Sequence, residues 1–170
     1  MRSGPIIAGI LLLLGSAPLV AQPQVTSAYT TLNLDRCKQL DHGETPESTE
    51  WRCSGYRGIA LFVQNGDERY DVDAGVEDED ALFAHTFDYP GKTVEWRIAG
   101  GKPFAIIYRL ESANPDRPRT TVLVVETIGT RGRPGCRVAT VAGSARNANQ
   151  QARSAADRLL RTKPVCLQPD

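Results

Sequence analysis

The densest chemistry in this chain lies in four cysteines and in the side chains crowded around one of them. Cys37, Cys53, Cys136 and Cys166 are the cysteines. The stretch from Glu50 to Gly58, EWRCSGYRG, adds Trp51, Arg52, Tyr56 and Arg57 to Cys53, with Gly55 and Gly58 bracketing Tyr56 and Arg57. A cysteine nucleophile would need a free thiolate beside a cation. A thiolate metal site would need close pairs such as C-x-x-C, and no two cysteines here stand that near. An even set without such pairs predicts two structural disulfides. Of three connectivities, Cys37–Cys53 and Cys136–Cys166 are preferred, because each pair closes one local unit. In the loop-entropy picture, closing a loop of ~15 residues is worth about 3 kcal/mol. Trp51 and Cys53 are two apart, so on a strand they share one face, and large aromatics dominate cores. Tyr56 and Arg57 sit in a glycine-flanked bend that points them outward. They are the candidate contact residues.

Other chemistries find less support. His42 and His85 are the two histidines, and no G-x-S-x-G elbow accompanies them. The acidic stretch from Asp71 to Asp80, DVDAGVEDED, invites a calcium test. An EF-hand loop starting at Asp71 needs glycine sixth and glutamate twelfth, where Val76 and Leu82 stand. Asp71 and Asp73 therefore read as the outer face of a strand, a solvated acidic edge. Among 20 acids, a carboxylate pair for glycoside hydrolysis is conceivable, yet no pair is singled out. Arg117 and Arg119, then Arg131 and Arg133, flank one strand at opposite ends, which argues against a single basic patch. The reading assigns no catalytic residue, no metal and no cofactor.

The first residues speak to compartment. Arg2 precedes an apolar run from Ile6 to Leu14, followed by Pro18 and small Ala21. That is the pattern of a secretory signal peptide over residues 1–21. The run is shorter than the ~20 residues needed to cross a bilayer. Cleavage would leave about 149 residues, one domain. Lysine plus arginine equal aspartate plus glutamate at 20 each, and losing Arg2 leaves a charge near −1. Such a balance selects neither nucleic acid nor an anionic membrane. No further segment is apolar enough to span one. The chain is expected in the periplasm or outside the cell, with a protein or envelope component as partner.

Positioning falls to strands and one helix. Residues 22–27 read as a flexible lead-in, and residues 28–170 as one stapled domain. About seven strands are predicted, drawn from the segments 29–34, around Trp51 and Cys53, 59–63, 69–74, 94–98, 104–110, 120–128 and 136–142. Residues 38–49 read as a polar loop. Asn65-Gly66 is a strong hairpin signal. From Ala145 the period changes to three and four, with Ala148, Ala152, Ala155, Ala156, Leu159 and Leu160 on one face. Asn147 with Gln150 suggests a capping box, with Ser144 as the other candidate cap. The fold class is α+β: an antiparallel sheet covered on one face by a C-terminal helix, with two disulfides.

WRCSGYRG, EWRIAGGKPFAII and the closing helix with Cys166 resemble a family of small exported bacterial proteins in which W-x-C-x-G-Y and W-R…G-K-P-F-A segments recur. No activity is assigned to that family, so the resemblance implies compartment and fold. In architecture the chain is also similar to periplasmic lysozyme inhibitors. The expected function is non-enzymatic binding or envelope support. The alternatives are inhibition of a cell-wall lytic enzyme and, from another class, a small secreted hydrolase.

Overall fold

The computed structural model describes residues 24–40, 48–66, 69–76, 88–112 and 119–167. The signal segment, His42, His85 and the acidic run 77–80 lie outside them. Among the described residues, nine strands form two antiparallel sheets, and one α-helix follows. In chain order the strands are β1 (Val25–Thr31), β2 (Lys38–Leu40), β3 (Ser48–Cys53), β4 (Leu61–Gly66), β5 (Arg69–Ala74), β6 (Asp88–Ala99), β7 (Lys102–Ser112), β8 (Thr121–Thr127) and β9 (Arg137–Ala142). Helix α1 spans Ala148–Arg158. The five-stranded sheet runs β1-β6-β7-β8-β9 and the four-stranded sheet β2-β3-β4-β5.

The class is the expected α+β, but its layers number three. Val94, Trp96, Ile106, Tyr108, Leu110 and Val124 of the larger sheet meet Leu61, Val63, Val72 and Ala74 of the smaller. The opposite face of the larger sheet, with Ala105, Ile107, Leu123 and Val125, receives the four buried alanines of α1. Alternation along β6 to β8 serves both faces at once. Alanine has almost no side chain to hold the helix off, so α1 lies close to the strands.

Several local expectations need correction. The lead-in 22–27 becomes strand from Val25, because Val25 to Ser27 pair with Ala99 to Arg97 across a long β6. Lys38–Leu40, inside the segment read as loop, pairs with Arg52 to Glu50. Asn65-Gly66 is not the turn: both residues belong to β4, where Asn65 pairs with Tyr70 and Gly66 with Arg69. Asn147 precedes the helix as expected but makes no side-chain cap bond. Its left-handed backbone (φ 59, ψ 36) departs from the extended one a capping side chain needs. Gln151 Nε2 instead donates to Arg146 O at 2.8 Å.

Both disulfides form as preferred, Cys37–Cys53 and Cys136–Cys166. Around Cys53 the glycines find their reason. A Cβ on Gly55 would stand 2.3 Å from Ile59 O and 2.7 Å from Trp96 Cζ2, both in the packed interior. Gly55 φ is −116, so the objection is steric only. Gly55→Ala is expected to cost about 1–3 kcal/mol through overpacking against Trp96. Urea denaturation reads this as a lower midpoint at unchanged slope; an unchanged midpoint would refute the close approach.

Candidate functional site

Tyr56 and Arg57 part company in the fold. The Tyr56 ring is half-buried, 6.0 Å from the Trp96 ring centroid and packed against the core. Arg57 is exposed, with its guanidinium 5.4 Å from the Tyr56 centroid and its backbone left-handed (φ 50, ψ 39). The first is scaffold, and the second is a cation held on a strained turn of order 1 kcal/mol. Trp51 also serves the scaffold: it stacks on Tyr70, which in turn meets Tyr89.

The largest departure concerns Asp71 and Asp73. Neither lies on a solvated edge. Strand β5 is buried on both faces, and Asp71 keeps only 4% of its surface. Its end is also tied to the larger sheet, where Gly129 N donates to Ala74 O at 2.8 Å. The outward residues of β5 are thereby enclosed with polar groups from β7, β8 and β9. Arg137 Nη2 donates to Asp71 Oδ1 at 2.8 Å, as do Val72 N and the Tyr108 hydroxyl, each at 3.0 Å. Tyr108 Oη lies 2.8 Å from Glu126 Oε1, and Arg137 Nε lies 3.6 Å from that same oxygen.

Proton counting and electrostatics together bear on the state of Glu126. A phenol has one hydrogen, so Tyr108 cannot donate to both carboxyls. If Tyr108 donates to Asp71, then Glu126 must carry a proton and donate to Tyr108. The electrostatics agree. Burial, then the charges of Asp71 and Asp73, push the Glu126 carboxyl well above its usual value. Its Oε2 meets no hydrogen-bond partner among the described residues, a smaller penalty for a neutral acid than for a carboxylate. Burial and the neighbouring acids likewise hold Tyr108 as a phenol. Burial works against the charge of Arg137, and the Asp71 carboxylate at 2.8 Å supports it.

A pH dependence follows. The folded chain keeps the Glu126 proton at pH values where the unfolded chain has released it. Stability from this group is therefore full below about 4.5, the usual value, and lost as pH rises through the raised one. Glu126→Gln should remove that slope and leave the protein folded, as seen in urea midpoints between pH 4.5 and 8. A variant with the wild-type pH profile would contradict the protonated acid.

A second polar assembly fixes α1 on the larger sheet. Arg97 reaches Asp157 through Nε at 3.0 Å and Nη2 at 2.9 and 2.8 Å. Arg153 reaches Glu95 through Nε at 2.7 Å and Nη2 at 3.2 Å, and its Nη2 also donates to Tyr29 Oη at 3.0 Å. Ser27 bonds both Glu95 and Arg97.

Beside this assembly opens a groove of about 360 Å³ between α1 and strands β6 and β7, lined by Tyr29, Lys92, Arg109, Glu111, Asn149 and Arg153 among others. A bulge in β6 builds it. Pro90 pairs with Leu110 and Val94 with Tyr108, so Gly91, Lys92 and Thr93 stand opposite Arg109 alone. Bulges re-aim side chains and gather next to functional sites. A Cβ on Gly91 would lie 3.2 Å from Arg109 Cβ, so the bulge crosses very near that side chain. Arg109 Nη2 donates to Asn149 Oδ1 at 3.1 Å.

No family model, curated protein or solved structure matches this chain. Sequence reasoning passed over both polar assemblies. For the groove the available signal was Pro90-Gly91 followed by Lys92, within a segment that alternates cleanly only from Val94. For the buried cluster the signal was Glu126, a lone acid inside TTVLVVETI, the most β-branched strand of the chain.

Proposed function

We propose that this chain is an exported binding domain of the bacterial envelope, periplasmic or extracellular, that engages a protein or envelope component without chemical turnover. The observation that carries this reading is the groove between α1 and the β6 bulge. Its polar side chains are held by the scaffold: Arg153 by Glu95 and Tyr29, Arg109 by Asn149. Preset donors on an open face cost little ordering when a ligand arrives. The groups with acid–base behaviour suited to catalysis are placed differently. Glu126, Asp71 and Tyr108 converge as a hydrolase would need, but they are sealed between the sheets, with Glu126 2% exposed. The hydrolase reading thus has converging acids and no access to them among the described residues. Two disulfides and the absence of a long apolar helix among the described residues are compatible with export.

Saturable binding to an envelope fraction tests this reading. Labelled protein should bind one fraction of a bacterial envelope extract with a micromolar midpoint and be displaced by unlabelled protein. Linear, unsaturable partition into every fraction would overturn it.

The strained, exposed Arg57 favours a second reading, inhibition of a cell-wall lytic enzyme through the 54–58 turn. That reading expects purified protein to slow lysozyme on cell walls and Arg57→Ala to relieve the inhibition. No effect at micromolar protein would end it.

A further inference from the structure

We infer that the groove takes a hexose ring bearing a carboxylate, as found in uronic acids and in the acidic sugar of cell-wall glycan. The inference rests on the binding reading above and names the ligand chemistry for it. Three features point the same way. The first is charge. Of the acids lining the groove, Glu95 is already bonded through both oxygens by Arg153 and faces Arg97 at 3.6 Å. Arg97 is in turn matched by Asp157. Lys92 and Arg109 therefore stand against Glu111 alone, which leaves the groove one positive charge in excess. The second is donor geometry. Arg109 commits one N–H to a neutral amide oxygen, which leaves the rest of a planar five-donor group for a planar carboxylate. The bulge puts Lys92 on the same side as a second, point-like cation. The third is the aromatic wall. Tyr29 is 57% exposed, while its hydroxyl is tied to Arg153, so the ring face is presented in a set orientation. The C–H face of a sugar ring packs on such a surface, since an aromatic body is apolar and its tip wet. Glu111 and Asn149 supply acceptors for hydroxyl hydrogens.

A neutral sugar would leave the cations unmatched. A bare anion would leave Tyr29 unused.

The test is calorimetric titration of the full protein at low ionic strength, with amide chemical shifts to locate the site. The probes are trigalacturonate, N-acetylmuramic acid, maltotriose and inorganic phosphate. At least one acidic sugar is expected to bind, with shifts centred on residues 91–93, Arg109 and Asn149. Maltotriose and phosphate are expected to bind at least tenfold more weakly. Lys92→Ala and Tyr29→Ala should each weaken binding at least fivefold, Lys92→Ala with melting temperature unchanged; Arg57→Ala should have no effect. The inference is overturned if neither acidic sugar binds, if phosphate binds as tightly, if maltotriose does, or if the shifts centre elsewhere. Should the acidic sugars fail while saturable envelope binding persists, the ligand assignment falls and the binding reading stands.

Discussion

Arg137→Met is expected to destabilise the protein by about 3–5 kcal/mol at neutral pH, the usual consequence of removing one partner from a buried ion pair. Methionine nearly preserves the volume, so packing loss is small and the charge is what disappears. Asp71, itself buried, would lose its 2.8 Å guanidinium contact, while the neutral donors Val72 N and Tyr108 remain beside it. At roughly 2–4 °C per kcal/mol for a domain of this size, melting should fall on the order of 10 °C. The double variant Arg137→Met with Asp71→Asn separates electrostatics from shape. Removing both charges eliminates the uncompensated one, so the double variant should recover more than half of the single loss. Urea midpoints of the four proteins in the cycle give the answer. A single variant within about 1 kcal/mol of wild type would mean that the pair is not buried as described.

Loss of the disulfides should be comparable in size, and larger when both are cut. Cys37–Cys53 closes a sequence separation of 16 and Cys136–Cys166 one of 30. Loop entropy assigns them roughly 3 and 3.6 kcal/mol. Domains of this kind are stable by only about 5–15 kcal/mol in total, so reducing both bonds should bring the fold close to its unfolding threshold. The two bonds act in different places. Cys37–Cys53 ties the start of β2 to the end of β3 in the smaller sheet. Cys136–Cys166 ties the residue before β9 to the segment after α1, where Leu167 N also donates to Arg137 O at 2.8 Å. Cys136→Ala/Cys166→Ala should therefore lower the melting temperature by on the order of 10 °C and raise amide exchange first in residues 159–167. The arginine anchors of α1 should keep the helix itself protected longer. If the fully reduced protein melts within a few degrees of the oxidised one, the bonds are incidental, and the argument from disulfides to an oxidising compartment loses its force.

Much of the frame was legible in the linear chain because it depends on near neighbours. Each cysteine pair encloses one local unit, and polymer statistics favour such closures. Alternation through Val94, Trp96 and Ile98 announced β6, and the alanine spacing announced α1 and its buried face. Local signals did less well where partners are distant. Val25 to Ser27 carry no strong strand signal of their own and are drawn into the sheet by β6, about seventy residues later. Lys38–Leu40 is likewise drafted by β3. Asn65-Gly66 has no turn role because the register of β4 on β5 keeps both residues in the ladder. Asp71 and Asp73 show the limit most plainly. Alternating apolar and acidic residues describe a half-exposed strand, and that inference fails when a strand is covered on both faces.

What the amino-acid order alone determined is the stapled α+β class, the helix with its small-residue face, and the pairing of the sulfurs, since these follow from periodicity and short loop closure. What only the tertiary structure decided is that there are two sheets, that an acid, a phenol and an ion pair lie sealed between them, and that a bulge, a helix and the first strand assemble one cationic groove. Those features join residues up to 124 positions apart, and their energies come from burial and facing charges, which no local pattern encodes.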